Sequence, residues 1–213
     1  MEPKRFDIAV DWDGTVIRHA DAVLTQLAKT HGLKITAYQI LTWDWFEDWG
    51  ISEADFWEAC EAANENHETI MPYDELTIPV LRAMAEHHNV SILTSRRLSM
   101  YASVDRWLTA NDLQIPIVNT GNQIDPVAGK MSQPFDIIID DNPLLALEMM
   151  ETGGDRDAGL HICPTTPWNR YVRQVAAERQ AALPSNLIHH SNVVFADSWA
   201  QIALLIDERS ISG

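Results

Sequence analysis

The chain has 213 residues, 46% hydrophobic and 22% charged, a profile that fits a soluble globular protein with one sizeable core and room for a small insertion. Its 31 acidic residues against 15 basic ones give a formal net charge of −16, which disfavours nucleic acid as a partner but not a small phosphate ester held by a few local cations. No run approaches the ~20 apolar residues of a membrane span, and Asp7 and Asp11 interrupt any signal-peptide core, so no membrane partner and a cytoplasmic location are expected.

The first element is "FDIAVDWDGTVI", from Phe6 to Ile17, which reads as a strand ending at Asp11 and Asp13 with a turn at Gly14. Residues two apart on an extended chain point the same way, so the two carboxylates face each other's repulsion, and a cation between them is the simplest way to keep both ionised. In "ADAVLTQLAKTHG", Ala20, Val23, Leu24 and Leu27 share one helical face and Gly32 is a natural stop. From Tyr38 to Pro72 no strand candidate occurs, yet four of the eight tryptophans fall there. This predicts a small helical cap over 18–72, with the core formed by 1–17 and 73–213. Trp57 is expected in the cap's own core, whereas one or two of Trp43, Trp45 and Trp49 are expected to offer a flat face to a substrate ring.

Further along, "LTIPVLRAMAEHHN" predicts a helix with Leu76, Val80, Leu81 and Met84 inward, feeding the strand "VSILTS". A helix in "MYASVDRWLTAND", a strand in "IPIVNT", a strong strand in "FDIIIDDNP", short strands in "GLHIC" and "NVVFA", and a closing helix in "SWAQIALLIDE" complete the alternation. Strands and helices alternating at this length predict an α/β fold, a parallel sheet with helices on both faces, whose ligands bind at the carboxyl ends of the strands. Cys60 and Cys163 fit neither a disulfide framework nor a zinc pattern and are expected as small core residues; the eight histidines are expected to be solvated.

Four pieces then fall at strand ends: Asp11 with Asp13, Thr94-Ser95-Arg96, Lys130, and Asp140-Asp141. Together they suit phosphoryl transfer through a covalent intermediate. Asp11 would attack phosphorus, Asp13 would protonate the leaving oxygen and then activate water, and Thr94 and Lys130 would bind phosphate oxygens. Asp11, the backbone carbonyl of Asp13 and a carboxylate of the Asp140-Asp141 pair would hold Mg²⁺, a hard ion suited to an all-oxygen site. Ser95, Arg96, Trp43 and Trp45 join Thr94 and Lys130 as candidate substrate contacts, and Arg170 is open between a loop tether and a surface ion pair.

On these motifs the sequence resembles the haloacid-dehalogenase-like phosphatase superfamily: "IAVDWDGT" is similar to its first motif, "SILTS" to its second, Lys130 to its lysine and "IIIDD" to its final acidic pair. The resemblance implies a Rossmann-like core, Mg²⁺, and Asp141 as the metal ligand with Asp140 just behind it. More narrowly, the chain resembles the 5′-nucleotidase branch that includes the 5′(3′)-deoxyribonucleotidases, through the cap position, the Thr-Ser pair, the spacing from Lys130 to "IDDNP" and the segment "TPWNR". Arg96-Arg97 and Asn142 depart from that branch's Pro and Arg. The implied substrate is a nucleoside 5′-monophosphate, deoxyribonucleotides among them. A sugar phosphate, a polynucleotide end or a non-catalytic nucleotide-binding role are the alternatives, and the sequence carries no signal for an oligomeric state.

Overall fold

The computed structural model describes residues 4–42, 44–120, 125–152, 159–182 and 192–212. Strands β1 (Asp7–Asp11), β2 (Asn89–Thr94), β3 (Ile117–Asn119), β4 (Ile137–Ile139), β5 (Leu160–Pro164) and β6 (Val193–Ala196) form one parallel sheet in the order β3-β2-β1-β4-β5-β6. The chain steps outward from β1 to β3, then crosses back to β4 and steps outward the other way. Strand order therefore reverses between β1 and β4, the place where such sheets open a crevice at their carboxyl ends. Asp11 pairs with Leu93 and Val10 with Ile139, so Asp11, Thr94 and Asp140 all reach that edge together.

Helices α1 (His19–His31), α2 (Trp45–Asp48), α3 (Glu53–Glu65), α4 (Thr77–His87), α5 (Tyr101–Ala110), α6 (Pro126–Met131), α7 (Pro143–Thr152), α8 (Arg170–Ala182) and α9 (Trp199–Ser212) surround the sheet. None of the described helices is long and apolar enough to cross a membrane. Alternation along the strands divides the core. Ile8, Val10, Ile92 and Ile139 pack against Leu81 and Met84 of α4, Trp107 and Leu108 of α5, and Ile202 and Ile206 of α9. Ala9, Leu93 and Ile138 point the other way, onto Leu145, Ala146 and Met149 of α7 and Val172 of α8. Both faces of the sheet are thus dry, as a parallel sheet requires. Cys60 and Cys163 are free and buried, as expected.

The chain leaves the sheet and returns to it at one spot. Ile17 and Pro72 form a bridge, flanked by Arg18 N to Met71 O at 2.9 Å and Tyr73 N to Val16 O at 2.8 Å. Between them α1 and α3 build a third apolar cluster from Val23, Leu24, Leu27, Ile40, Trp45, Ile51, Ala59, Cys60 and Ala63. Gly32 ends α1 in the left-handed conformation, φ 67°, where a side chain would be strained. The Ser52 hydroxyl caps α3 by accepting from Asp55 N at 3.2 Å.

Three expectations fail in this part of the molecule. Trp57 is 57% exposed, because the inward stripe of α3 runs through Ala59, Cys60 and Ala63 and Trp57 lies off it. Leu76 is 40% exposed, because α4 starts only at Thr77, whose buried hydroxyl meets Asp74. Several histidines are not solvated: His88 is buried against the Phe6 ring, and His67 and His161 are buried too. His189 and His190 lie outside the described residues.

Candidate active site

Asp11 ends β1, and Asp140 and Asp141 follow β4, the strand paired beside it. All three are buried, and one carboxylate oxygen of each lies within 4.8 Å of the others. Lys130, at 3% exposure, reaches in from α6 and donates to Asp11 Oδ1 at 2.7 Å and Asp140 Oδ2 at 2.5 Å. Asp125, accepting from Ala128 N at 2.9 Å, and Pro126 in the first turn fix the start of that short helix.

Three carboxylates against one ammonium leave this pocket short of positive charge. Burial pushes Asp11 up to about 7, against the pull of Lys130 and with the push of Asp140 and Asp13. Burial, then the charges of Asp11 and Asp140, also raise Asp141 well above the carboxylate range. Lys130 is raised instead, because its two carboxylates outweigh the burial that opposes its charge. An all-oxygen donor set with a charge deficit fits a hard divalent cation.

That electrostatic state sets a pH dependence. A proton held on Asp11 in the metal-free fold is one that a bound cation must expel. Affinity for Mg²⁺ or Mn²⁺ should therefore climb as pH rises through about 7. Without metal the sign reverses: a carboxyl raised in the native state stabilises it below 3.8, and that contribution is lost as pH rises toward about 7. Calorimetric titration with Mn²⁺ across this range, beside melting curves in EDTA, checks both; a flat affinity would contradict the charge deficit.

Asp141 is held from several sides. Its Oδ1 accepts from the Thr15 hydroxyl at 3.2 Å and its Oδ2 from Trp168 Nε1 at 2.9 Å, while Asn169 Nδ2 donates to its carbonyl at 2.9 Å. Gly14 is required here twice over: its φ is +86°, and a Cβ would collide with the Asp141 carboxylate. Asp140 Oδ1 accepts from Asn142 N at 2.9 Å, and its carbonyl lies 2.8 Å from His161 Nε2, which must carry the proton because a carbonyl only accepts. Asn142, in place of the arginine of the nucleotidase pattern, caps α7 by accepting from Leu144 N at 2.8 Å.

Asp13 stands apart from this trio. Arg96 grips it from two sides, Nε to Oδ2 at 2.7 Å and Nη2 to Oδ1 at 2.5 Å, and His19 Nδ1 is 3.5 Å from Oδ1. Burial works to raise Asp13, but Arg96 and then His19 outweigh it and hold the carboxyl below its ordinary range. Arg96, expected near phosphate, is thus buried on Asp13, with Ser103 Oγ also 3.5 Å away. Thr94 is buried at the strand end and accepts from Arg96 N at 3.2 Å; Ser95 is half-buried beside it.

The aromatic expectation needs correction. Trp45 is only 7% exposed and meets Phe56 edge-on within the third cluster, so most of its ring is spent on that cluster, and what remains borders the same open groove as Trp49. Trp43 lies outside the described residues, and Trp49, at 42% exposure, borders an open groove with Gln39, Leu41 and Asp48. Arg170 is exposed at the start of α8, and the loop beside the acidic pair is tethered by its neighbours Trp168 and Asn169. Thr15, His19, Trp168, Asn169 and His161 were missed by sequence reasoning, although the "TPWNR" segment was the place to look for two of them.

No protein-family model matches the chain, and no curated protein sequence matches it significantly. Solved structures do. A haloacid dehalogenase-like hydrolase from Streptococcus pneumoniae superposes with a TM-score of 0.59 at 15% identity, over 94% of this chain and 98% of that one. A predicted phosphoglycolate phosphatase from Haemophilus somnus gives 0.53 at 14% identity, over 96% and 99%. A putative beta-phosphoglucomutase from Bacteroides vulgatus gives 0.54 at 12% identity, over 99% and 91%. At these identities the likeness is one of fold: the chain has the Rossmann-like fold of the haloacid dehalogenase-like hydrolases. None of these three is described as a nucleotidase, and that narrower resemblance draws no support from them.

Proposed function

We propose that the protein is a Mg²⁺-dependent phosphomonoesterase for small phosphate esters, working through an aspartyl phosphate on Asp11, with 18–72 as its cap. The observation that carries this is the convergence of Asp11, Asp140, Asp141 and Lys130 at the switch point of the sheet. Lys130 fixes Asp11 through Oδ1, which leaves Oδ2 to attack phosphorus. An O–P bond forms to Asp11 as the ester O–P bond breaks, and Asp13, which takes a proton from solvent once the incoming phosphate has drawn Arg96 away, gives that proton to the departing alkoxide. Asp13, again a carboxylate, then takes a proton from the water that attacks phosphorus and frees Asp11. Mg²⁺ held by Asp11, Asp141 and the Asp13 carbonyl, with Asp140 behind them, would neutralise charge on the phosphoryl oxygens. Thr94 binds a phosphoryl oxygen at the end of β2. Arg96 keeps Asp13 ionised until the incoming phosphate competes for the guanidinium. An alkoxide needs the proton of Asp13; a halide leaves without one, which favours ester cleavage over dehalogenation.

Nucleoside 5′-monophosphates are the first substrate class, supported by the Thr94-Ser95 pair and by the spacing from Lys130 to Asp141. A second reading, a sugar phosphate, is favoured by the polar surroundings of Asp13. Arg96, Ser103 and His19 suit hydroxyls better than a base, and Trp45 is largely buried. Phosphate release from all common ribo- and deoxyribonucleoside monophosphates and a set of sugar phosphates tests both. At least one nucleotide should turn over with Mg²⁺, with activity falling about 100-fold or more in EDTA. Faster release from sugar phosphates than from every nucleotide would select the second reading. No release from any ester with metal present would sink the phosphatase reading.

A further inference from the structure

We propose that Trp168 is a positioning residue for Asp141, coupling divalent-cation binding to the seating of helices α1–α3. Trp168 sits in the short turn Pro167–Asn169 that follows β5. Its indole N–H reaches Asp141 Oδ2 at 2.9 Å, while its ring packs against the apolar cluster of Leu24, Leu27, Ile40 and Trp45. The turn Ala37–Gln39 of the inserted segment lies directly against this turn. One side chain therefore touches a candidate metal ligand with its polar edge and the inserted helices with its apolar body.

The turn itself is rigid. Asn169 is fully buried, its Oδ1 accepts from Thr166 N at 2.8 Å, and its Nδ2 donates to Pro164 O at 2.8 Å and to Asp141 O at 2.9 Å. Trp168 thus has a fixed base, and the freedom left to its ring is set by the cluster it packs against. An indole can only donate, so Asp141 Oδ2 is the acceptor of this bond and is held at a fixed position by it. With Thr15 on Oδ1 and Trp168 on Oδ2, the carboxylate plane is defined while each oxygen keeps a lone pair for a cation. Groups that orient a metal ligand in this way typically change metal affinity about 10–100-fold when removed. By linkage, whatever loosens the cluster around Trp168 must weaken the cation, and the cation must tighten the cluster.

The inference rests on Asp141 being a metal ligand, and the experiment separates the two claims. Mn²⁺ alone is titrated calorimetrically, without substrate, into the full-length wild type and its variants. Asp141→Asn should abolish binding; wild-type affinity there would remove the ligand reading itself. Trp168→Phe keeps an apolar ring but loses the N–H, and its Kd for Mn²⁺ should rise about 10-fold. Ile40→Ala, a change in the cluster far in sequence from any candidate ligand, should also raise Kd in the wild type but add nothing in the Trp168→Phe background. Unchanged affinity in Trp168→Phe, or an Ile40→Ala effect of equal size in both backgrounds, overturns the coupling. Should Ile40→Ala not fold, Ile40→Val takes its place. In addition, Mg²⁺ should change the emission assigned to Trp168 by subtracting the Trp168→Phe spectrum; an unchanged difference spectrum also overturns the proposal.

Discussion

Asp11→Asn protein should fold, and melt no lower than the wild type in EDTA at pH 8, yet release phosphate at least about 10⁴-fold more slowly. The amide oxygen that replaces the carboxylate is too weak a nucleophile to form an acyl phosphate, so the covalent route closes. Stability moves the other way because ionised Asp11 is costly in the metal-free pocket. Burial, with Asp140 and Asp13 nearby, pushes it up to about 7 despite Lys130. Asn keeps an acceptor for Lys130 Nζ without adding a third negative charge to the cluster. Phosphate release and calorimetric melting, on one preparation, read both effects. Activity within about 10-fold of wild type would exclude Asp11 as the nucleophile, whereas a lower melting point would mean that its charge supports Lys130 more than burial penalises it.

How much of this was legible in the sequence varies with the range of the contact. The runs "FDIAVD" and "FDIIID" are local signals: an apolar strand must end where its carboxylates begin, and parallel strands place those ends at one edge. The aromatic residues of 18–72 were harder. Trp57 could have been placed from spacing, since Phe56, Ala59, Cys60 and Ala63 already define the inner stripe of α3 and leave no room on it. Trp45 could not, because α2 has only four residues and shows no period. His161 was misread as solvated although "LHICP" is an inner strand, and such a strand has no wet face. The ion pair of Arg96 with Asp13 spans 83 residues, and the bond from Trp168 to Asp141 joins two loops that meet only because β4 and β5 are neighbours. Neither leaves a local trace.

Lys130→Met should be the most destabilising change in the site when metal is absent. Among the described residues Lys130 is the single cation that bridges Asp11 and Asp140, and methionine fills similar space without charge or donors. Removing one partner of a buried ion pair costs about 3–5 kcal/mol, because the remaining charge has neither water nor a counter-ion. In a chain of this size that is a fall in melting temperature of about 10 °C in EDTA near pH 7.5. The deficit has a signature that ordinary loss of packing lacks. Without the pull of Lys130, Asp11 should take up its proton at a pH above the wild-type value of about 7, a proton that the unfolded chain does not hold until 3.8, so the variant should recover stability on acidification. Mg²⁺ should recover part of it at neutral pH by supplying the missing charge, and Lys130→Met combined with Asp140→Asn should melt above Lys130→Met alone. Phosphate release should remain about 100-fold or more below wild type even with Mg²⁺ saturating, since the donor that orients Asp11 is gone. A Lys130→Met protein that melts within about 2 °C of wild type in EDTA at neutral pH, with no gain on acidification, would mean that the carboxylate cluster is not short of positive charge, and the case for a cation among Asp11, Asp140 and Asp141 would go with it.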